Sequence, residues 1–359
     1  MSKKDKPIPV TILTGFLGAG KTTLLNRILK AEHGLRVAVL VNDFGAVNID
    51  AELIVGVEGE TISLANGCIC CTIRNDLLAA VLDLLQRQPP PEYILIETSG
   101  VSDPYAVAQS FLLPALSPYV RVDSIITVVD AEQIRDLRDE DAMLAADQVS
   151  AADIIVLNKV DLVTAEQLSQ VKAWINDVAP RARILETTYG QVPLELLLGV
   201  GEFAIEKLHQ RAQRDVHTHE VGEAHDHGHD HDHHDHSLVF NTWHYRTDEP
   251  LVYEALCDAV DALPTTIFRA KGVVYLKESP QRRAILQVVG RRAMLTIGEP
   301  WQKPPQTQIV VIGSYGGVDG EKLQAIFDAC RVSAVEAAKS DKLQIALDWV
   351  RRNWPKAFS

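Results

Sequence analysis

Along the first two hundred residues, short runs of Val, Ile and Leu alternate with longer, helix-length stretches. The runs fall at Val10–Thr14, Val37–Val41, Tyr93–Ile96, Ser124–Val129 and Ile154–Leu157, and the longer stretches include Lys21–Lys30, Asp76–Gln86 and Ala165–Asp177. A strand that is apolar throughout, rather than at every second position, is buried on both faces. That is the situation of parallel strands covered by crossover helices. The pattern predicts an α/β fold with a doubly wound sheet.

From about Glu206 the pattern changes. Residues 217–236 hold nine of the twelve histidines, interleaved with Asp, Glu and Gly, and offer almost nothing to bury, which predicts a mobile linker. Apolar character resumes at Leu238-Val239-Phe240. Strand-like pieces follow at Gly272–Leu276, Arg283–Val289, Ala293–Ile297 and Ile309–Gly313, with helix-like pieces at Leu251–Leu263 and Glu321–Cys330. This reads as a second, smaller α+β domain. Beyond it, Val335, Ala338, Leu343, Ala346, Leu347 and Val350 recur at roughly helical spacing, which predicts a terminal amphipathic helix. The expected organisation is residues 1–205, a linker 206–236, a second domain 237–332 and a helical extension 333–359.

Composition narrows the classes. Apolar residues make up 47% and charged residues 23% of the 359, an ordinary soluble composition. No run is apolar enough to span a bilayer, and the basic start Met1–Pro7 lacks the apolar core of a signal peptide, so a cytoplasmic protein without membrane partners is expected. The net charge of −13 argues against nucleic acid as a partner, because binding a polyanion relies on Lys and Arg clusters. Five cysteines are too few for a disulfide framework, and three of them crowd into positions 68–71, which points to metal or redox chemistry.

Gly15-Phe16-Leu17-Gly18-Ala19-Gly20-Lys21-Thr22 satisfies the G-x-x-x-x-G-K-[ST] pattern between a predicted strand and helix. Its glycines let backbone N–H groups turn onto phosphate oxygens, and the helix N-terminus adds partial positive charge. Gly15, Gly18, Ala19, Gly20, Lys21, Thr22 and Thr23 are therefore the candidate phosphate-binding residues. Lys21 is expected on the β- and γ-phosphates and the Thr22 hydroxyl on Mg²⁺. The strand Tyr93–Ile96 ends in Glu97-Thr98-Ser99-Gly100, where Glu97 can hold Mg²⁺ and the Gly100 amide can approach the γ-phosphate. The next strand but one ends in Asn158-Lys159-Val160-Asp161. A carboxylate at Asp161 can accept both N1–H and the exocyclic amine of guanine, a donor pair that adenine lacks, so GTP is expected. Thr187–Gly190 can add contacts to the base. No residue stands out as an activating Gln or arginine finger, so turnover is expected to be slow unless a partner or the metal accelerates it.

Cys68, Cys70 and Cys71 are soft donors suited to Zn²⁺, Cu(I) or iron–sulfur centres. Vicinal Cys70 and Cys71 do not easily serve one tetrahedral ion together, so two of the three are expected to bind at once with a ligand from another loop. A redox disulfide and a set of small buried hydrophobes are the competing readings. His225, His227, His229, His231 and His233 belong to a tract that can collect Zn, Ni, Cu or Co without selecting among them, or serve as a solvated spacer.

Taken in order, Gly15–Thr22, Asn42-Asp43-Phe44-Gly45, Gly67–Cys71, Glu97–Gly100 and Asn158–Asp161 resemble the CobW-like family of metal-chaperone GTPases. The histidine-rich stretch and Leu263-Pro264 leading into Phe268–Gly272 are similar to that family as well. The resemblance implies GTP hydrolysis coupled to loading a metal, zinc foremost and Co²⁺, Ni²⁺ or Fe²⁺ as alternatives, into a client metalloprotein docked on the C-terminal domain. It implies Cys68, Cys70 and Cys71 as the metal motif. Asp43 stands where members commonly have Glu, and Ala46 where they often have an acid, so the oxygen ligands of this chain differ from the usual set. Asp43 or Asp50 is then the candidate metal or water ligand. A nucleotide-regulated metal buffer or sensor, and a cobalt-handling GTPase of cobalamin synthesis or nitrile hydratase activation, are the alternative functions. Homo-oligomerisation is left open.

Overall fold

The computed structural model describes residues 7–31, 35–41, 61–63, 71–198, 218–220 and 240–339, and the chain divides into two compact units. The first comprises Met1–Leu208 with Val289–Arg292, the second His209–Val288 with Ala293–Ser359.

The first unit runs β1 (Ile8–Thr14), α1 (Lys21–Lys30), β2 (Val37–Val41), β3 (Thr61–Ser63), α2 (Cys71–Gln86), β4 (Tyr93–Glu97), α3 (Pro104–Ser110), β5 (Val120–Asp130), α4 (Asp139–Ala151), β6 (Ile154–Asn158), α5 (Ala165–Val178), β7 (Arg183–Glu186) and α6 (Leu194–Leu197). Among its described residues seven strands form one sheet, all parallel, in the order β3-β2-β4-β1-β5-β6-β7. The predicted doubly wound α/β sheet is the observed one. β1 lies in the middle; the chain fills one side of it through β2–β4 and the other through β5–β7. Such a reversal opens a crevice at the carboxyl ends of the strands beside β1.

Burial explains the continuous apolar runs: all five residues of β4 and of β6 are buried, as are the last five of β1. Leu77, Val81 and Leu84 of α2 pack with Val10, Ile12, Ile94 and Ile96. Val171 and Ile175 of α5 pack with Val129, Ile155 and Leu157. Each side chain of this kind contributes roughly 2 kcal/mol by leaving water. Caps set the helix starts. Asp103 accepts from the Tyr105 N–H at 2.8 Å with Pro104 at the first helical position, and Thr164 forms a reciprocal capping box with Gln167.

The second unit contains β8 (Thr218–Glu220), β9 (Phe240–Thr247), α7 (Tyr253–Asp261), β10 (Ile267–Val274), β11 (Arg282–Val289), β12 (Arg292–Pro300), β13 (Thr307–Ser314) and α8 (Gly320–Asp328). Among the described residues its sheet has six strands in the order β12-β11-β10-β13-β9-β8. β13 pairs antiparallel with both β10 and β9, and β8 pairs parallel with β9. Thr218–Glu220 thus forms an edge strand inside the stretch expected to be linker. Trp243 and Tyr245 of β9 stack with Phe327 of α8, the Tyr245 and Phe327 centroids lying 5.2 Å apart. Residues 332–339 are helical, and the remainder of the predicted terminal helix lies outside the described residues. No helix among the described residues is long and apolar enough to cross a membrane.

Two cysteines outside the clustered three are described. Cys330 is buried, its Sγ donating to the carbonyls of Ala255 and Ile326 at 3.4 Å each, whereas Cys257 is exposed. Burial, reinforced by the nearby Asp258 and Asp328 carboxylates, pushes the Cys330 thiol up to about 12. It holds its proton at neutral pH and offers no thiolate to an ion or an electrophile. Iodoacetamide is accordingly expected to label Cys257 and spare Cys330 in the folded chain, read by peptide mass spectrometry. Labelling of both at one rate would contradict this.

Candidate functional site

The loop after β1 turns back over the sheet because three of its residues adopt backbone that favours glycine: Gly15, Gly18 and Gly20 have φ of +136°, +73° and +106°. At Gly15 space is decisive as well as φ, since a Cβ there would lie 2.1 Å from the Val128 carbonyl oxygen. At Gly20 a Cβ would lie 2.5 Å from the Asn158 side-chain nitrogen. Lys21, only 8% exposed, opens α1 and folds its ammonium over the loop, donating to the carbonyls of Gly15 at 2.9 Å and Phe16 at 3.2 Å. Thr22 and Thr23 follow in the first turn, Thr23 exposed.

The Thr22 hydroxyl donates to Glu97 Oε1 at 2.8 Å. Glu97 is the last residue of β4, placed by its register against Leu13 and Val41, and is 2% exposed. A hydroxyl and a buried carboxylate at the carboxyl edge of the sheet make a pair of hard oxygen donors, which fits a small divalent cation such as Mg²⁺. Thr98 ties the following turn to β1, its N–H donating to Leu13 at 2.9 Å and its hydroxyl to Thr14 at 2.9 Å. Gly100 lies against the phosphate loop, where a Cβ would come within 2.7 Å of the Leu17 nitrogen.

Asn158 joins this arrangement to the end of β6. Only 2% exposed, it donates through Nδ2 to the Ala19 carbonyl at 3.0 Å and accepts the Gly190 N–H on Oδ1 at 3.0 Å. One amide thereby links the phosphate loop to the Thr187–Gly190 loop. Tyr189 there is held in left-handed backbone (φ +52°), its carbonyl accepting from Arg27 Nε at 2.9 Å. Lys159 is also left-handed (φ +60°), and Asp161 stands exposed in the one-turn helix Val160–Leu162. Left-handed non-glycine residues are uncommon and concentrate at functional loops.

Two residues of this site do not stand out from sequence. Asp130, the last residue of β5, pairs with Lys159 Nζ at 2.6 Å and accepts the N–H groups of Glu132 and Gln133. A signal for it exists, since Asp130 ends its strand as Glu97 does. Gln148 of α4 donates to the carbonyls of Gly100 and Ser102. Nothing in a mid-helix glutamine announces that.

Of the proposed metal ligands, Cys68, Cys70, Asp43 and His225, His227, His229, His231 and His233 lie outside the described residues. Cys71 is the first residue of α2, a helix that starts five residues before the expected Asp76. No group of three or more His, Cys, Asp or Glu residues suited to a metal occurs among the described residues.

Comparison with known proteins follows this division of the chain. The profile of the CobW/HypB/UreG nucleotide-binding domain matches residues 9–186, and that of the cobalamin synthesis protein CobW C-terminal domain matches residues 240–331. A zinc chaperone CobW of Pseudomonas aeruginosa is 35% identical over 339 residues, an alignment that covers 85% of this chain and 87% of the relative. The chain belongs to the CobW family. Within that family it is also 32% identical over 332 residues to the zinc chaperone YjiA of Escherichia coli, covering 90% of this chain and 99% of the relative. The zinc-regulated GTPase metalloprotein activator 1 of Dictyostelium discoideum is 32% identical over 328 residues, covering 79% of this chain and 66% of the relative.

Proposed function

We propose that this CobW-family chain is a GTP-hydrolysing metallochaperone that binds a transition metal, zinc foremost, and transfers it to a client protein. The observation that supports the nucleotide half is the Asn158 amide, which ties the loop after β1, the end of β6 and the Thr187–Gly190 loop together across about 170 residues of sequence, at the carboxyl edge where such sheets bind ligands. In this reading Asp161 and Asn158 receive guanine, and Lys159 is held at the base by Asp130. The amides from Gly15 to Thr23 receive the phosphates, with Lys21 exchanging a loop carbonyl for a β- or γ-phosphate oxygen. Thr22 and Glu97 would hold Mg²⁺, which neutralises charge on the β- and γ-oxygens when bound.

The metal half is supported by the zinc functions of the relatives and by chain geometry. The chain leaves β2 at Val41 and β3 at Ser63, both at the same carboxyl edge as the phosphate loop. Asp43 follows β2 by two residues and the cysteines precede or begin α2. A γ-phosphate at that edge is therefore placed to order both segments, gathering thiolates and a carboxylate around zinc, and hydrolysis to release them toward a client docked on the C-terminal domain. The proposed test is a zinc titration against a chelating dye with and without a non-hydrolysable GTP analogue. It is run on the full chain, on a variant lacking residues 217–236, and on Cys68→Ser/Cys70→Ser/Cys71→Ser. The analogue is expected to tighten zinc by about 5- to 150-fold, the usual range of coupling between two sites. That effect persists without the histidine tract and vanishes in the triple variant. A zinc affinity indifferent to nucleotide would sink the coupled mechanism.

A further inference from the structure

We propose that Gln148 is a positioning residue for the γ-phosphate side of the pocket, a role that rests on the reading of this site as a GTP site. Gln148 is 1% exposed on α4. Its side-chain nitrogen donates to the carbonyls of Gly100 at 2.9 Å and Ser102 at 3.2 Å. Both carbonyls belong to one turn, closed by the Ser102 N–H on the Ser99 carbonyl at 3.0 Å, so the two amide hydrogens hold the turn at the carbonyl side of Gly100 and again at Ser102. The helix is itself anchored at this point, because the Thr127 hydroxyl of β5 donates to the Gln148 backbone carbonyl at 2.8 Å. On its other side the turn meets the phosphate loop through Gly100 and Leu17. Phe16 of that loop and Gln148 line the same small cavity.

The amide oxygen separates a positioning role from simple packing. Gln148 Oε1 is buried and has no hydrogen-bond partner among the described residues. A buried acceptor left unsatisfied is a net cost, so burial alone favours a side chain such as Met, which has the same length and no acceptor to leave unpaired. What glutamine adds is two donors, and both go to the turn that carries Gly100. A backbone amide fixed before the ligand arrives gives its full interaction to developing negative charge, because no ordering cost is taken out of binding. Without those donors Gly100 is no longer held at its carbonyl side, its own N–H is freer to swing away from the γ-phosphate position, and GTP loses a contact that GDP never makes.

The test is Gln148→Met in the full chain, titrated with fluorescent GDP and with a fluorescent non-hydrolysable GTP analogue. The dissociation constant for the analogue is expected to rise about tenfold, the scale of two neutral hydrogen bonds, while that for GDP stays within about twofold. An equal loss for both nucleotides, or an unchanged ratio in a variant that melts like the unmodified chain, overturns the proposal. If Gln148→Met does not fold, Gln148→Asn, an amide one methylene too short to reach both carbonyls, reads the same ratio with the same two outcomes. An unmodified chain that binds neither nucleotide overturns the GTP reading and this role together. Normal binding with an unmoved ratio overturns the role of Gln148 alone.

Discussion

Asp161→Asn is expected to weaken GTP binding by about 10²- to 10³-fold and to make xanthosine triphosphate the preferred nucleotide. The reasoning starts from donors and acceptors. Guanine offers N1–H and an exocyclic amine, and a carboxylate accepts both. An asparagine keeps one acceptor and sets an N–H₂ against the exocyclic amine, donor against donor. Xanthine carries a carbonyl where guanine carries that amine, so the asparagine amide satisfies it. The loss is expected below the most extreme discriminations because Asp161 is exposed, and water softens the penalty for an unpaired group. The same exposure means that the substitution should leave the thermal midpoint unchanged, so the effect is separable from folding. Competition of GTP and xanthosine triphosphate for a fluorescent nucleotide reads the switch. Unchanged GTP affinity, with xanthosine triphosphate no better bound than before, would remove Asp161 from the base pocket.

What the sequence makes legible follows from how local each signal is. The phosphate loop is legible because strand, glycines, Lys21 and Thr22 are contiguous, and β4 and β6 because strands buried on both faces run apolar up to their terminal Glu97 and Asn158. The start of α2 at Cys71 escapes because Thr72–Asn75 carries no apolar period, although nothing in it breaks a helix. α4 escapes for a related reason. Its buried face consists of Ala145, Gln148, Val149 and Ala151, too polar and too small to show as an apolar stripe. β9 is hidden because its inward residues, Trp243 and Tyr245, alternate with Asn241, Thr242, His244 and Arg246 rather than forming a run.

The site shows the same division at the level of single residues. Asn158 is recognisable as part of a base-reading motif, but its two bonds to Ala19 and Gly190 join residues 139 and 32 positions away. Only the strand order, which puts β6 beside β5 and one strand from β1, brings those partners within reach. The pairing of Lys159 with Asp130 depends on the same order, through the alignment of Asp130 with Asn158. Motif chemistry is thus readable from sequence, whereas the supports that hold a motif in place are set by topology.

Gly15→Ala tests that dependence of chemistry on support. Two obstacles coincide at Gly15: a φ of +136°, and a Cβ that would sit 2.1 Å from the Val128 carbonyl oxygen, where real contacts stay beyond 3.0 Å. Val128 cannot give way cheaply, because it is buried within β5 and is registered against Val156 of β6. The loop has to move instead, by about 1 Å, and strain of this kind costs on the order of 3 kcal/mol. For a unit of this size that lowers the thermal midpoint by about 6–12 °C. The displaced Gly15 carbonyl is also an anchor of Lys21, at 2.9 Å, so the ammonium and the loop amides lose their alignment together. GTP affinity is expected to fall by about 10²-fold or more, since misplacement near 1 Å carries a penalty of that order. Gly316→Ala supplies the control. Gly316 shares a positive φ of +66°, but a Cβ there would meet nothing within 4 Å. Only the backbone cost, about 1 kcal/mol, applies at Gly316, with no effect on nucleotide. Calorimetry with nucleotide titration on both variants separates the two contributions. A Gly15→Ala chain that binds GTP as tightly as the unmodified one would show that the loop after β1 is not the phosphate cradle.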